Sequence, residues 1–306
     1  MIKFYNADIF KDLDSIVENE SVDAIVTDPP YLIGYGNQDW DKHDFVEFTE
    51  KWLELVMKKL KPTGTMWSCM AKDNSFTHKF CKKGFVNMLQ EIGYVDLNNW
   101  SVWARQKGRG SSKHLKSQRE EVFHFSKNEK TYVWNNMKML REVIAPYVKD
   151  GRPRGWFLDE FGKRVRWTGL GNVWTYSAPQ FNGISERQFH PSQKPVMMME
   201  RLIRLSTNEN DLILDPFTGS ATTAIACMLS NRNFVGFELD KKYFDYGQSR
   251  IDTFDVLNYP GYNLSTDKKI LEEMAIKKLD SRTINHINNN IPKHINSQNN
   301  LSSKFF

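Results

Sequence analysis

The sequence predicts an α/β protein built on a doubly wound sheet, carrying one insertion and a polar tail. Three observations predict it. Short apolar runs alternate with amphipathic segments of helical spacing, two of those runs end in loops rich in Pro and Gly, and the alternation breaks off only once, over about residues 129–189. With 306 residues, 40% of them hydrophobic, and nine Trp, the chain can bury a full core around such a sheet.

In chain order, residues 2–5 read as a short strand and residues 22–27 as a second. Residues 45–60 place Phe45, Phe48, Trp52, Leu55, Val56, Met57 and Leu60 at helical spacing, and Lys61-Pro62-Thr63-Gly64 is expected to stop that helix. Residues 65–69, 100–104 and 122–125 read as three further strands. After the break, residues 196–205 and 221–229 are expected helices, and residues 212–214 and 234–237 expected strands. Strands alternating with helices point to a parallel sheet. From about residue 259 the chain turns Asn- and Lys-rich, only residues 270–279 look helical, and a flexible tail is expected.

Composition excludes several classes. Met1-Ile2-Lys3-Phe4-Tyr5-Asn6-Ala7-Asp8 lacks the apolar segment of a signal peptide, and no later run approaches membrane-spanning length, so a cytoplasmic protein away from the membrane is expected. Cys69, Cys81 and Cys227 form no C-x-x-C pair, which supports neither a disulfide framework nor a metal site.

The chemistry concentrates in two strand-end loops. Ala24-Ile25-Val26 runs into Thr27-Asp28-Pro29-Pro30-Tyr31, which offers a carboxylate, rigid carbonyls and an aromatic plane. Leu212-Ile213-Leu214 runs into Asp215-Pro216-Phe217-Thr218-Gly219-Ser220, where Gly219 lets backbone approach a ligand and a helix is expected to begin at about Ser220. Glu238 ends the following strand, where an acidic residue can accept from ribose hydroxyls.

This pairing, across residues 1 to 255, resembles the amino-methyltransferases of DNA. With the Asp-Pro-Pro-Tyr stretch first, it is similar to their circularly permuted group, the beta class. The resemblance implies a Rossmann-like methyltransferase sheet and transfer of a methyl group from S-adenosylmethionine to the N6 amine of a flipped adenine in double-stranded DNA. Asp28 and the Pro29 carbonyl would accept from the amine, Pro30 would stiffen the loop, and Tyr31 would stack on the extruded base. Such a mechanism needs no metal. Asp215, Pro216, Phe217, Gly219, Ser220 and Glu238 would hold the cofactor. Asn6-Ala7-Asp8 resembles the family's turn near the cofactor adenine. His190-Pro191-Ser192-Gln193-Lys194-Pro195 resembles its His-Pro-Thr-Gln-Lys-Pro run, which adds Asp8, His190 and Lys194 to the cofactor-binding set. One departure is Ala221, where the family usually has glycine: harmless at negative φ, unfavourable otherwise.

Asp rather than Ser at the head of the first loop favours adenine over cytosine N4. Methylation of cytosine carbon 5 is disfavoured, since none of the three cysteines follows a proline. A DNA-binding relative without turnover is the remaining alternative.

The net charge is only +5, yet residues 101–170 hold 16 Lys and Arg against 7 Asp and Glu. Arg105, Lys107, Arg109, Lys113, Lys116 and Arg119, then Arg152, Arg154, Lys163, Arg164 and Arg166 with Trp156 and Trp167, form a stretch suited to phosphates. The expected organisation is therefore a catalytic half over residues 1–128, a target-recognition insertion over 129–189 with Arg152, Arg154 and Arg164 on DNA, a cofactor-binding half over 190–258, and the tail over 259–306. A homodimer and a cognate restriction endonuclease are the associations the family implies.

Overall fold

The computed structural model describes residues 1–32, 44–71, 83–91, 96–111, 113–128, 130–143, 148–149, 152–153, 155–159, 161–176 and 192–255. They fall into two compact units, the larger made of Met1–Asn136 with Gly171–Phe254, the smaller containing Met137–Leu170.

The larger unit is built on an eight-stranded sheet. Its strands are β1 (Ile2–Asn6), β2 (Val22–Thr27), β3 (Leu60–Met70), β4 (Asp96–Ser111), β5 (His114–Ser126), β11 (Val173–Thr175), β12 (Leu212–Asp215) and β13 (Asn233–Glu238), in the spatial order β1-β13-β12-β2-β3-β5-β4-β11. From β1 to β3 every neighbour is parallel. The expectation of a wholly parallel sheet is corrected at β5, which runs antiparallel to both β3 and β4. The reason is local: β4 and β5 pair up to Ser111 and His114, a hairpin, and hairpin partners must reverse direction.

Six helices are described: α1 (Ile9–Ile16), α2 (Phe45–Lys59), α3 (Phe85–Glu91), α4 (Val196–Ser206), α5 (Thr222–Ser230) and α6 (Lys241–Asp252). Asp44 caps α2 by accepting from Glu47 N, and Phe45, Thr49, Trp52, Leu53, Val56 and Met57 bury one stripe of it. The helix ends at Lys59 because Leu60 turns extended and enters β3. Lys61-Pro62-Thr63-Gly64, expected as a loop, is the start of that strand.

Residues from α1, α2 and α3 share a core with Ile25, Met66, Phe123, Leu214 and Phe237 of the sheet. The alternation of strand side chains sends Val26 and Trp67 to the opposite face, where Trp67 Nε1 donates to Ser206 Oγ of α4 at 3.0 Å. Helices thus cover both faces, and the loops at the carboxyl ends of the central strands are left to carry chemistry.

The smaller unit comprises β6 (Lys138–Glu142), β9 (Phe157–Leu158) and β10 (Arg164–Gly169) in one antiparallel sheet, and the pair β7 (Val148–Lys149) and β8 (Arg152–Pro153). The break in alternation at residues 129–189 therefore overstates the insertion: Asn135 hydrogen-bonds to α4, and β11 rejoins the main sheet beside β4. The tail beyond residue 255 and its expected helix lie outside the described residues.

Candidate active site

The two motif loops leave neighbouring parallel strands, with Ala24 opposite Ile213 and Ile25 opposite Leu214. A buried hydrogen bond joins them, from Thr27 Oγ1 to Asp215 Oδ1 at 2.8 Å. Thr223 Oγ1 donates to Asp215 Oδ2 at 2.6 Å and Phe217 N to Oδ1 at 3.1 Å. Burial pushes the Asp215 carboxyl up to about 6, and the threonine hydrogen bonds hold it from rising further. Expected as a cofactor contact, Asp215 is placed as the strut that fixes one loop against the other.

In the loop after β12, Gly219 adopts φ 55°, and its N–H donates to Glu238 Oε2 at 2.9 Å. Asp240 N donates to Oε1 of the same carboxylate at 2.8 Å. Burial raises the Glu238 pKa to about 7 against the pull of these two donors. Pro216 and Ser220 are buried in the loop. Phe217 packs edge-on against Trp52 at 5.4 Å, which anchors the loop to α2. The helix starts at Thr222, two residues after Ser220, its N-cap has no side-chain hydrogen bond, and the residues of this turn are buried. The Glu238 carboxylate, set at a strand end beside Gly219, fits a ligand that carries ribose hydroxyls.

Ala221 resolves to the unfavourable alternative. Its φ is 62°, where a β-carbon costs about 1–2 kcal/mol, and its methyl is fully buried. Gly247 of α6 makes the room: a Cβ there would lie 2.7 Å from the Phe4 ring, 3.1 Å from the Ala221 methyl and 3.2 Å from the Gly219 carbonyl. Gly247→Ala should therefore cost about 1–3 kcal/mol despite its better helix propensity, read as a lower thermal midpoint. An unchanged midpoint would show that α6 yields freely.

Asp8 caps α1, accepting from Phe10 N at 3.0 Å and pairing with Lys11 at 3.1 Å. Ala7 N bonds to the Glu238 carbonyl, so the turn lies beside the end of β13. His190 lies outside the described residues.

In the loop after β2, Tyr31 Oη donates to Asp28 Oδ1 at 2.8 Å and Lys194 Nζ to Asp28 Oδ2 at 2.6 Å. Lys194, expected with the cofactor, pairs with Asp28 of the loop after β2. Its ammonium is 4% exposed, lies 3.2 Å from Glu120 Oε2, and sits over the Tyr31 ring at 5.3 Å. Burial works against the charged ammonium, but Asp28 and Glu120 outweigh it and raise its pKa. Burial also raises the Asp28 pKa, the Lys194 charge opposes this, and Glu120 reinforces it. Pro29 is buried and Pro30 partly so, and Leu32, just after Tyr31, takes φ 51° at 7% exposure. A branched residue held there stores about 1–3 kcal/mol, strain of a kind that collects at functional sites.

Glu120 escaped sequence reasoning because it stands among the cations of β5. Two cations of the expected phosphate stretch have acidic partners: Arg105 of β4 pairs with Glu120 at 2.7 Å and Arg119 of β5 with Glu121 at 3.0 Å. In the smaller unit, Arg164 stacks on Trp156 at 5.8 Å, and Arg166 stands directly across from Arg141. Arg152 belongs to β8, and Arg154 lies outside the described residues.

Residues 22–249 match the N6_N4_Mtase family model, described as DNA methylase. The chain is 29% identical over 305 residues to the Type II methyltransferase M.HpaI of Haemophilus parainfluenzae, covering 95% of this chain and 88% of that protein. It is 29% identical over 261 residues to the DNA adenine methyltransferase YhdJ of Escherichia coli, covering 82% of each. Among solved structures, the cytosine-N4-specific PvuII DNA methyltransferase shares the fold with a TM-score of 0.58 at 20% identity, over 89% of this chain and 90% of that one. The matched span covers both motif loops and the strands that carry them, and the chain belongs to the N6_N4_Mtase family of DNA methylases.

Proposed function

We propose that this protein is a beta-class, circularly permuted DNA methyltransferase that transfers a methyl group from S-adenosylmethionine to the N6 amine of an adenine flipped out of double-stranded DNA. The observation that carries this reading is the Thr27–Asp215 hydrogen bond, which holds a carboxylate-and-tyrosine loop and a glycine-and-glutamate loop at adjacent strand ends. Asp at position 28 and the similarity to an enzyme named as a DNA adenine methyltransferase favour adenine over cytosine.

When bound, S-adenosylmethionine supplies an electrophilic methyl group. Glu238 would accept from its ribose hydroxyls, Gly219 would let the backbone approach it, and the N-terminus of α5 would receive its carboxylate. The adenine amine is a poor nucleophile because its lone pair is delocalised into the ring. Asp28 and the Pro29 carbonyl accept its two N–H bonds and favour the tetrahedral nitrogen reached in transfer. The Lys194 charge favours the ionised form of Asp28 against burial, and Tyr31 offers its ring to the flipped base. Mass spectrometry of nucleosides from DNA treated with the protein tests the reading: N6-methyladenine is the expected product, and N4-methylcytosine would reassign the target.

The smaller unit is the proposed DNA-recognition element, with Arg152, Arg154 and Arg164 on phosphates. The directly opposed Arg141 and Arg166 support it, because like charges across a sheet repel unless a polyanion lies between them. Replacing Arg152, Arg154 and Arg164 by glutamine should weaken DNA binding and lower the slope of log affinity against log salt by about 1 for every phosphate no longer neutralised. An unchanged slope would take these residues out of the interface. Among the described residues no helix is long and apolar enough to cross a membrane. A cytoplasmic enzyme of a restriction–modification system, acting with a cognate endonuclease and as a homodimer, completes the proposal.

A further inference from the structure

Both oxygens of Asp28 are already engaged, one by the Tyr31 hydroxyl and one by Lys194. A target amine that bonds to Asp28 must share one of these oxygens or displace the partner already on it. Lys194 is the costly one to move, because it is buried and its departure would take the counter-charge from Asp28 and leave Glu120 with Arg105. Tyr31 is neutral, and its hydroxyl has a second acceptor at hand: Glu120 Oε2 lies 3.3 Å away, about half an ångström beyond a normal O–H···O contact. Glu120 is itself held for that purpose. It is 8% exposed on β5, and its other oxygen is pinned by Arg105 at 2.7 Å, which leaves Oε2 turned toward Tyr31 and Lys194.

We propose that Glu120 is a positioning residue that receives the Tyr31 hydroxyl when the target amine takes that hydroxyl's place on Asp28. The exchange lets a base bind without stranding a buried hydroxyl, and it keeps Tyr31 ordered in the form that stacks on the base. It rests on the reading of Asp28 as the acceptor of an exocyclic amine.

A double-mutant cycle tests it. In Glu120→Gln the amide oxygen stays with Arg105 and the amide nitrogen faces Tyr31, where it can donate but not accept, so the hydroxyl stays on Asp28. The kcat/KM for DNA should fall about ten- to a hundredfold in otherwise native protein, the scale of a buried hydrogen bond left unmade. In a Tyr31→Phe background, where no hydroxyl needs a second acceptor, the same substitution should cost about threefold or less. Glu120→Asp, which keeps the charge but withdraws the oxygens, should show the same dependence on the hydroxyl, and the KM for S-adenosylmethionine should not move. Equal losses in both Tyr31 backgrounds, or full activity in Glu120→Gln, would overturn the exchange. A native protein that transfers no methyl group to DNA would instead overturn the reading beneath it.

Discussion

Replacing Lys194 by methionine is expected to destabilise the protein by about 3–5 kcal/mol, the usual cost of removing one member of a buried charge pair. Methionine fills a similar volume, so the loss is electrostatic. Asp28 loses its Lys194 counter-charge and faces Glu120, which keeps Arg105, in a site that water reaches poorly. The pH dependence follows in sign. The folded-state pKa of Asp28 already lies above its usual value, and removing Lys194 takes away the charge that restrains it. The folded variant therefore binds a proton that the unfolded chain does not, and its deficit should shrink as pH falls from neutrality toward the ordinary carboxylate range. Denaturant unfolding at neutral and mildly acidic pH measures both effects. A variant as stable as the native protein would show that the ammonium does not balance these carboxylates.

Asp28→Ala is expected to lower the rate of methyl transfer by about 10²–10³-fold, the scale of losing one preorganised partner of a developing charge. Cofactor affinity should hold, because Glu238 and Gly219 make their contacts with each other and with Asp240 rather than with Asp28. Single-turnover transfer and cofactor titration on the same sample separate the two. A near-native rate would remove Asp28 from the chemistry.

The parts legible in sequence are those where function is written into neighbouring residues. An apolar strand that runs into Asp-Pro-Pro-Tyr or Asp-Pro-Phe-Thr-Gly carries strand, turn and reactive group within a few positions, and the parallel strands β1, β2, β3, β12 and β13 could all be located. The pairing of Lys194 with Asp28 joins residues 166 positions apart, and Tyr31 with Glu120 joins residues 89 apart. No local pattern encodes such contacts. Residues 100–104 and 122–125 read as strands, but their extension into the long hairpin of β4 and β5 was hidden by the Lys, Arg and Gln content between them, which disguises a strand. α1 was lost to its brevity at eight residues, and α6 to a polar sequence with one buried position, Gly247. Arg105 and Arg119 looked like phosphate ligands because charge counts do not reveal which cations already have an acidic neighbour across the protein.

The strand order bears on how the chain assembles during synthesis. β1 and β2 emerge from the ribosome first, yet in the finished sheet β13 and β12, made last, lie between them. The amino terminus is secured only then, when Met1 N donates to Asn233 Oδ1 at 2.6 Å. A nascent chain must hold the open edge of β2 unpaired until β12 is made, a template for mispairing with other chains. Folding is thus tied to completion of the polypeptide, and a product truncated before residue 212 would expose that edge permanently.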